Sequence, residues 1–328
     1  MGNKWKSYII NLSLIISIYV ILILLMQAGI VNSYYEGILI GICINIVLAT
    51  SLNLATGYLG QLALGHAGFM AIGAYAAAIT TSMMNLPGLL QLVVSILIGG
   101  ILAGIFGILI GIPALRLKGD YLAIITLGFG EIIRVIILNL NITGGARGLK
   151  GILPLTTFSS AFWVAVLVVA IIYTLINSRH GRAIISIRED EIAAEAMGVP
   201  TTFYKILAFS IAAFFAGIGG GLFAHFNNVL GAENFKFMYS IEILIIVVLG
   251  GMGSLTGSIV AAIILTVLPQ LLLDFADWRM LIYSVLLIIM MIFKPEGLLG
   301  KREFSISRFL QKRKNNLKVT PNSNERSE

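Results

Sequence analysis

The chain has 328 residues, 58% of them hydrophobic and 11% charged, with a formal net charge of +7. A soluble domain carries roughly 25% charged residues, so this composition excludes a surface facing water throughout and requires lipid around much of the molecule. A single cysteine (Cys43) excludes an intrachain disulfide, three scattered histidines (His66, His180, His225) supply no clustered set for a metal or other cofactor, and cations dispersed in short loops do not make a nucleic-acid groove.

The first predicted element is an apolar stretch over 8–31, preceded by Lys4 and Lys6. It exceeds the apolar core of a secretory signal, about 7–15 residues, and reads as a retained membrane helix. Further apolar spans follow at 36–57, 64–83, 89–112, 121–140, 160–177, 205–226, 240–251, 257–274 and 279–293. The pattern predicts an all-α polytopic transmembrane bundle of about ten spans. Eight is the alternative count, because several spans are short or glycine-rich. With ten spans and the N-terminus inside, Lys4, Lys6, Arg116, Lys118, Arg179, Arg182, Arg188, Lys205 and Lys294 are cytoplasmic, whereas Arg147, Lys150, Lys236 and Arg279 are external. That asymmetry is what the positive-inside rule asks for, and it places both termini in the cytoplasm. Residues 1–299 read as one membrane domain and 300–328 as a basic, disordered tail that anchors topology and attracts anionic membrane lipid.

Between the second and third spans lies a glycine cluster holding Gly57, Gly60, Gln61, Gly65, His66 and Gly68; a second cluster with Gly250, Gly251 and Gly253 follows the eighth span. Irregular backbone at membrane depth survives only when buried in protein or lining a cavity, and paired interruptions in two halves mark the translocation path of repeat-built transporters. A weak internal repeat is expected on this ground. For individual glycines, close helix packing is the competing reading. Each histidine reads as a satisfied polar group or a loop residue.

In the fifth span Asp120 is a plausible N-cap, and Glu131 lies about 16 Å further along the axis, near the midplane. Arg134 falls on the same face three residues later. The pair reads either as a structural ion pair that orients the helix or as a gate on the path. Glu242 reads as an interfacial charge near the external end of its span.

The longest internal polar stretch, about 178–204, contains a short helix with marked ends. Ser186 and Glu189 have capping-box spacing, Glu189, Asp190 and Glu191 favour the positive end of the dipole, and Gly198 followed by Pro200 stops it. Ile192, Ala193, Ala196 and Met197 share one narrow apolar face, with Arg188, Glu191 and Glu195 opposite. Consecutive acids point in different directions, which disfavours a metal or catalytic site and favours docking in a partner's groove. No nucleophile elbow, Walker loop, dinucleotide fingerprint or zinc-protease motif is present, so no enzymatic activity is expected.

Three stretches together, Gly57 to Tyr75, Arg116 to Arg134, and Gly181 to Gly198 continuing through Leu207-Ala208-Phe209, resemble the LivM-type permeases of branched-chain amino acid ABC transporters. Val247 to Ser254 and Pro295 to Leu299 add to the resemblance, which extends from about residue 37 to 299. It implies a type II ABC importer-like subunit of the bacterial inner membrane without activity of its own. The implied partners are a second homologous permease, two cytoplasmic ATPase subunits and an external substrate-binding protein. The stretch Glu189, Asp190, Glu191, Ile192, Ala193, Ala194, Glu195, Met197 and Gly198 is similar to the ATPase-coupling loop of such importers. Ala193, Ala194 and Gly198 match its pattern, but Ile192 stands where a Glu is usual and Glu191 comes one position early. Related permeases also carry urea or short amides. An ion-coupled secondary transporter would need an acidic ion site, and Glu131 is the one good candidate for it.

Overall fold

The computed structural model describes residues 2–272, except Asn85 and Lys118, with scattered positions up to Gly300; side chains are described from Leu12 onward. The chain divides into two compact units after Glu36. The first contributes helix α1 (Gly2–Gln27) and the opening of α2 (Ser33–Asn53). The unit beginning at Gly37 contains α3 (His66–Met83), α4 (Gly88–Ala114), α5 (Asp120–Asn139), α6 (Phe158–Asn177), α7 (Arg179–Glu189), α8 (Glu191–Ala196), α9 (Thr201–Asn227), α10 (Phe237–Gly250) and α11 (Leu255–Leu271). The expected spans from 8–31 through 257–274 each coincide with a helix. The expected span 279–293 falls largely outside the described residues, and the tail from Lys301 lies wholly outside them.

The segments Ser33–Tyr58, Gly88–Ala114, Asp120–Asn139, Phe158–Asn177 and Thr201–Asn227 are long and apolar enough to cross a membrane, and Leu12–Gln27, Phe237–Gly250 and Leu255–Leu271 are shorter apolar helices. This is a multi-pass helical membrane protein. Residues on α4 such as Leu89, Leu97, Ile101, Ile105 and Leu109 are exposed, as lipid-facing side chains must be.

The core is the packing of α3, α4 and α9, and glycine sets its spacing. A Cβ on Gly217 would lie 2.6 Å from Ala103 Cβ and 2.8 Å from Gly99 O; one on Gly73 would lie 2.2 Å from Gly217 Cα. Three backbones therefore touch where no side chain fits. Lipid tails are as apolar as leucine, so close van der Waals packing has to supply the association that water expulsion supplies in soluble proteins. Away from this contact the core is largely aliphatic, and among the described residues its buried polar side chains are satisfied. His225, fully buried, places Nδ1 3.0 Å from Leu153 O and Nε2 3.1 Å from Thr81 Oγ1 and 3.2 Å from Ser95 Oγ.

A two-stranded antiparallel ladder, β1 (Leu149–Lys150) with β2 (Val229–Leu230), pairs Leu149 with Leu230 and Lys150 with Val229. It ties the α5–α6 connection to the α9–α10 connection.

Candidate coupling and translocation site

The polar stretch after α6 folds as two helices rather than one. Ser178 caps α7, its hydroxyl accepting from Gly181 N at 3.3 Å. Ser186 consequently lies inside α7 and donates to Ala183 O at 2.9 Å, so the expected capping box with Glu189 does not form. The break comes at Asp190, which is extended (φ −157°, ψ 109°) and whose Oδ1 accepts from Ile192 N at 2.9 Å and Ala193 N at 3.0 Å. A short carboxylate on the residue preceding a helix satisfies orphan N–H groups and complements the dipole at once, which Ser186 could not do from within a turn already formed.

The other end of α8 is as expected. Gly198 is left-handed (φ +83°), its N–H reaches Glu195 O at 2.9 Å, and Val199 N reaches Ala194 O at 3.1 Å. These two bonds make a Schellman stop. The apolar face points away from the protein: Ile192 is 77% and Met197 84% exposed, with Ala193 and Ala196 exposed beside them, while Ala194 is buried beneath. The acidic residues do not share one face. Lys205 of α9, buried, donates to Glu191 at 2.6 Å, which turns Glu191 inward; Glu195 is exposed.

Arg188 closes α7 and reaches the glycine clusters. Its Nη1 donates to Gly57 O at 2.8 Å, and its Nε donates to Glu189 Oε1 at 3.2 Å. A Cβ on Gly60 would lie 2.7 Å from Arg188 Cγ, and one on Gly253 would lie 2.8 Å from Arg188 Nη1. The guanidinium thus occupies space that both clusters leave open.

The clusters also meet directly. α2 ends in a π-helical turn, Leu54–Tyr58, which contains Gly57. Asn53, fully buried just before it, accepts from Gly253 N at 2.8 Å and donates to Ser254 O at 2.9 Å and Ser258 Oγ at 2.8 Å. A Cβ on Gly57 would fall 2.3 Å from Gly253 N. Gly250 packs against Gly257, where a Cβ would lie 2.5 Å from Gly257 O, and Gly251 (φ +107°) and Gly253 (φ +86°) turn the chain between α10 and α11. π-helical turns are frequent at functional sites, and left-handed glycine is what a tight turn between two helices requires.

The rest of the first cluster seats the start of α3. Gly60 and Gln61 lie on the connection; Gly65 abuts Thr126 of α5, whose Oγ1 accepts from Leu64 N at 3.0 Å; and Gly68 faces Gly130. Ala67 N donates to Ser240 Oγ of α10 at 2.9 Å. His66 is buried with Nε2 2.9 Å from Ser51 Oγ; since that hydroxyl donates to Leu48 O at 2.8 Å, the ring nitrogen is the donor.

Glu131 and Arg134 stand apart from this junction. Arg134 Nε donates to Glu131 Oε2 at 2.7 Å, Glu131 Oε1 accepts from Phe237 N at 3.1 Å, and Arg134 Nη1 lies 3.6 Å from Glu233. The pair is one part of a network joining α5 to the turn Ala232–Phe235 and the start of α10. Lys236 hydrogen-bonds Glu233 and holds its carboxyl below the ordinary value.

Sequence reasoning did not single out Asn53, Thr126, Ser240, Ser258 or Lys205. Asn53 carried a readable signal, an amide in an apolar span four residues before Gly57. The others become significant only through partners distant in sequence.

A family described as the permease component of branched-chain amino acid transport systems matches residues 34–294. The chain is 40% identical to the high-affinity branched-chain amino acid transport system permease protein LivM of Escherichia coli K12, over 78% of this chain and 68% of that protein. It is 24% identical to the probable branched-chain amino acid transport permease protein LivM of Methanocaldococcus jannaschii, over 64% of this chain and 69% of the relative. The high-affinity permease protein LivH of Salmonella typhimurium is 29% identical over 45% of this chain and 49% of its own length. No solved structure matches the chain significantly. With four fifths of its length matched by the family, and its two glycine breaks built into one junction, this chain belongs to the branched-chain amino acid transport system permease component family.

Proposed function

We propose that the protein is the membrane permease subunit of an ATP-driven importer in a bacterial inner membrane, moving leucine, isoleucine and valine into the cytoplasm. It works with a second homologous permease, two cytoplasmic ATPase subunits and an external binding protein, and both its termini face the cytoplasm. The observation that carries this reading is the connection between α8 and the glycine junction. α8 presents an exposed apolar face of the size a partner groove accepts. Arg188, two residues before the α8 cap, donates to Gly57 O and occupies the space a Cβ on Gly253 would take. Closure of an ATPase dimer against α8 would move α7 and shift two glycine-broken helix ends at once. Rigid elements pivoting on such breaks give the two packings that alternating access requires.

Reconstitution of the four kinds of subunit in vesicles tests this function. Uptake of labelled leucine that requires ATP and the binding protein, and that persists with ion gradients dissipated, is the expected result. Gradient-driven uptake without ATP would overturn it. Uptake of urea or a short amide in place of leucine would reassign the substrate.

A further inference from the structure

Glu242 is the sixth residue of α10, in the apolar run Phe237–Gly250, and its side chain is exposed on this subunit. An acid in a membrane helix is costly where it faces lipid, so such residues turn to a protein partner or an aqueous path. Beside it α2, α10 and α11 enclose a cavity of about 70 Å³ lined by Asn45, Tyr239, Glu242, Ile243, Ile246 and Leu265.

The hydrogen bonds around this cavity all run one way. Tyr239 Oη donates to Asn45 Oδ1 at 3.4 Å, Asn45 Nδ2 donates to Thr266 Oγ1 at 2.8 Å, and Thr266 Oγ1 donates to Ala262 O at 2.6 Å. Because the Thr266 proton is committed to the backbone, Thr266 must accept, and this fixes the orientation of the Asn45 amide. The chain consumes the proton of each of the Tyr239 and Thr266 hydroxyls and one of the two Asn45 amide protons. What remains for an occupant is mostly acceptor capacity, the lone pairs of Tyr239 Oη and the Glu242 carboxylate, beside one further Asn45 amide proton. Glu242 makes no ion pair among the described residues. The opposite wall, Ile243, Ile246 and Leu265, is aliphatic and almost fully buried.

We infer that this cavity is a station on the translocation path that takes the ammonium group of the transported amino acid on Glu242 and Tyr239, and its branched side chain against Ile243, Ile246 and Leu265. The inference rests on the proposed function and names the residues that recognise its substrate. A primary ammonium brings three donors and one positive charge to the acceptors of Tyr239 and Glu242 and the one negative charge between them. A second acid, a neutral amide or a bare hydrocarbon does not match it.

The whole reconstituted complex carries the test, with Ile246→Cys placed on a Cys43→Ala background. Cationic and anionic methanethiosulfonates are compared, each normalised to its rate with a free thiol. The cationic reagent should be favoured by about tenfold, the value of a charged over a neutral contact, and Glu242→Gln should abolish that preference. Leucine should slow the reaction, and 4-methylpentanoate, which keeps the side chain and lacks the amine, should not. Leucine uptake should fall roughly tenfold or more in Glu242→Gln and partly recover in Glu242→Asp. An unchanged reagent preference, protection by both compounds or by neither, or an unreactive cysteine would overturn the station. So would loss of the second permease on purifying Glu242→Gln, because the carboxylate would then be an interface element. Failure of the unmodified complex to take up leucine would reject the proposed function instead.

Discussion

Arg188 is a long cation whose value depends on what its guanidinium touches. Its contact to Gly57 O is a charged hydrogen bond to a carbonyl, a class worth about 1.5–3 kcal/mol. Arg188→Ala should leave ATPase binding at α8 intact, since the α8 face is unchanged, yet reduce uptake sharply, giving ATP hydrolysis without transport. Equal loss of hydrolysis and uptake would place Arg188 in docking instead. The Glu131 network predicts a graded response. Glu131→Gln keeps an acceptor for Phe237 N and leaves Arg134 near Glu233, so folded yield should drop little. Glu131→Leu removes the charge partner of Arg134 and the acceptor of Phe237 N together and should lower yield more than Glu131→Gln does; Glu131→Leu with Arg134→Met should recover part of it. Normal yield with abolished uptake in Glu131→Gln would favour a gate. Because Glu233 is held below its ordinary value, its contribution is present above the unfolded carboxyl range and is lost as pH falls through the lower folded value. Detergent-extracted protein should therefore lose part of this network's stabilisation on acidification, and Glu233→Gln should flatten that dependence in a melting-temperature series.

At the scale of one element, α8 tests whether capping matters to docking. Asp190→Ala removes both N-cap bonds and should cost about 0.5–2 kcal/mol of local helix stability. Gly198→Pro is harsher, because proline cannot take φ +83° and would also constrain Met197. Ala193→Arg leaves the caps intact and puts bulk and charge on the exposed face. All three should reach the membrane at near-normal abundance while losing co-purifying ATPase, in the order Gly198→Pro, Ala193→Arg, Asp190→Ala. Arg182→Ala, on the exposed side of α7, is the mild control. Retention of ATPase by both severe variants would remove α8 from the coupling role.

Across the whole molecule, contacts and charges give one alternation. Arg188 meets Gly57 and Gly253, all on the side that the loop charges predict to be cytoplasmic, and β1 pairs with β2 on the side they predict to be external. Single cysteines on a Cys43→Ala background should therefore react with an impermeant reagent from outside at Lys150 and Lys236, and not at Arg182. Labelling at Arg182 with protection at Lys150 would invert the topology. The α3–α4–α9 core makes a separate prediction. Gly217→Val has no space, with Gly99 O 2.8 Å from the first carbon added, and should abolish folded yield; the same change at half-buried Gly128, where a Cβ meets nothing within 4 Å, should be mild.

Sequence alone determined the lipid-embedded helical class, the positions of the apolar helices α1 to α6 and α9 to α11, and the stop at Gly198, because each depends on composition, span length or a preference local to a few residues. The family resemblance was likewise legible in chain order. Tertiary structure decided where the α8 cap falls, since Ser178 had already started α7 and left Asp190 as the free cap. It decided that Glu191 turns inward, because Lys205 waits 14 residues later on α9. It also turned two glycine clusters nearly 200 residues apart into one junction, by way of Asn53 and Arg188. Periodicity reports which face of a helix is apolar. It does not say which backbone will lie close enough to exclude a side chain, and that proximity is what gives these glycines and Arg188 their place in the junction.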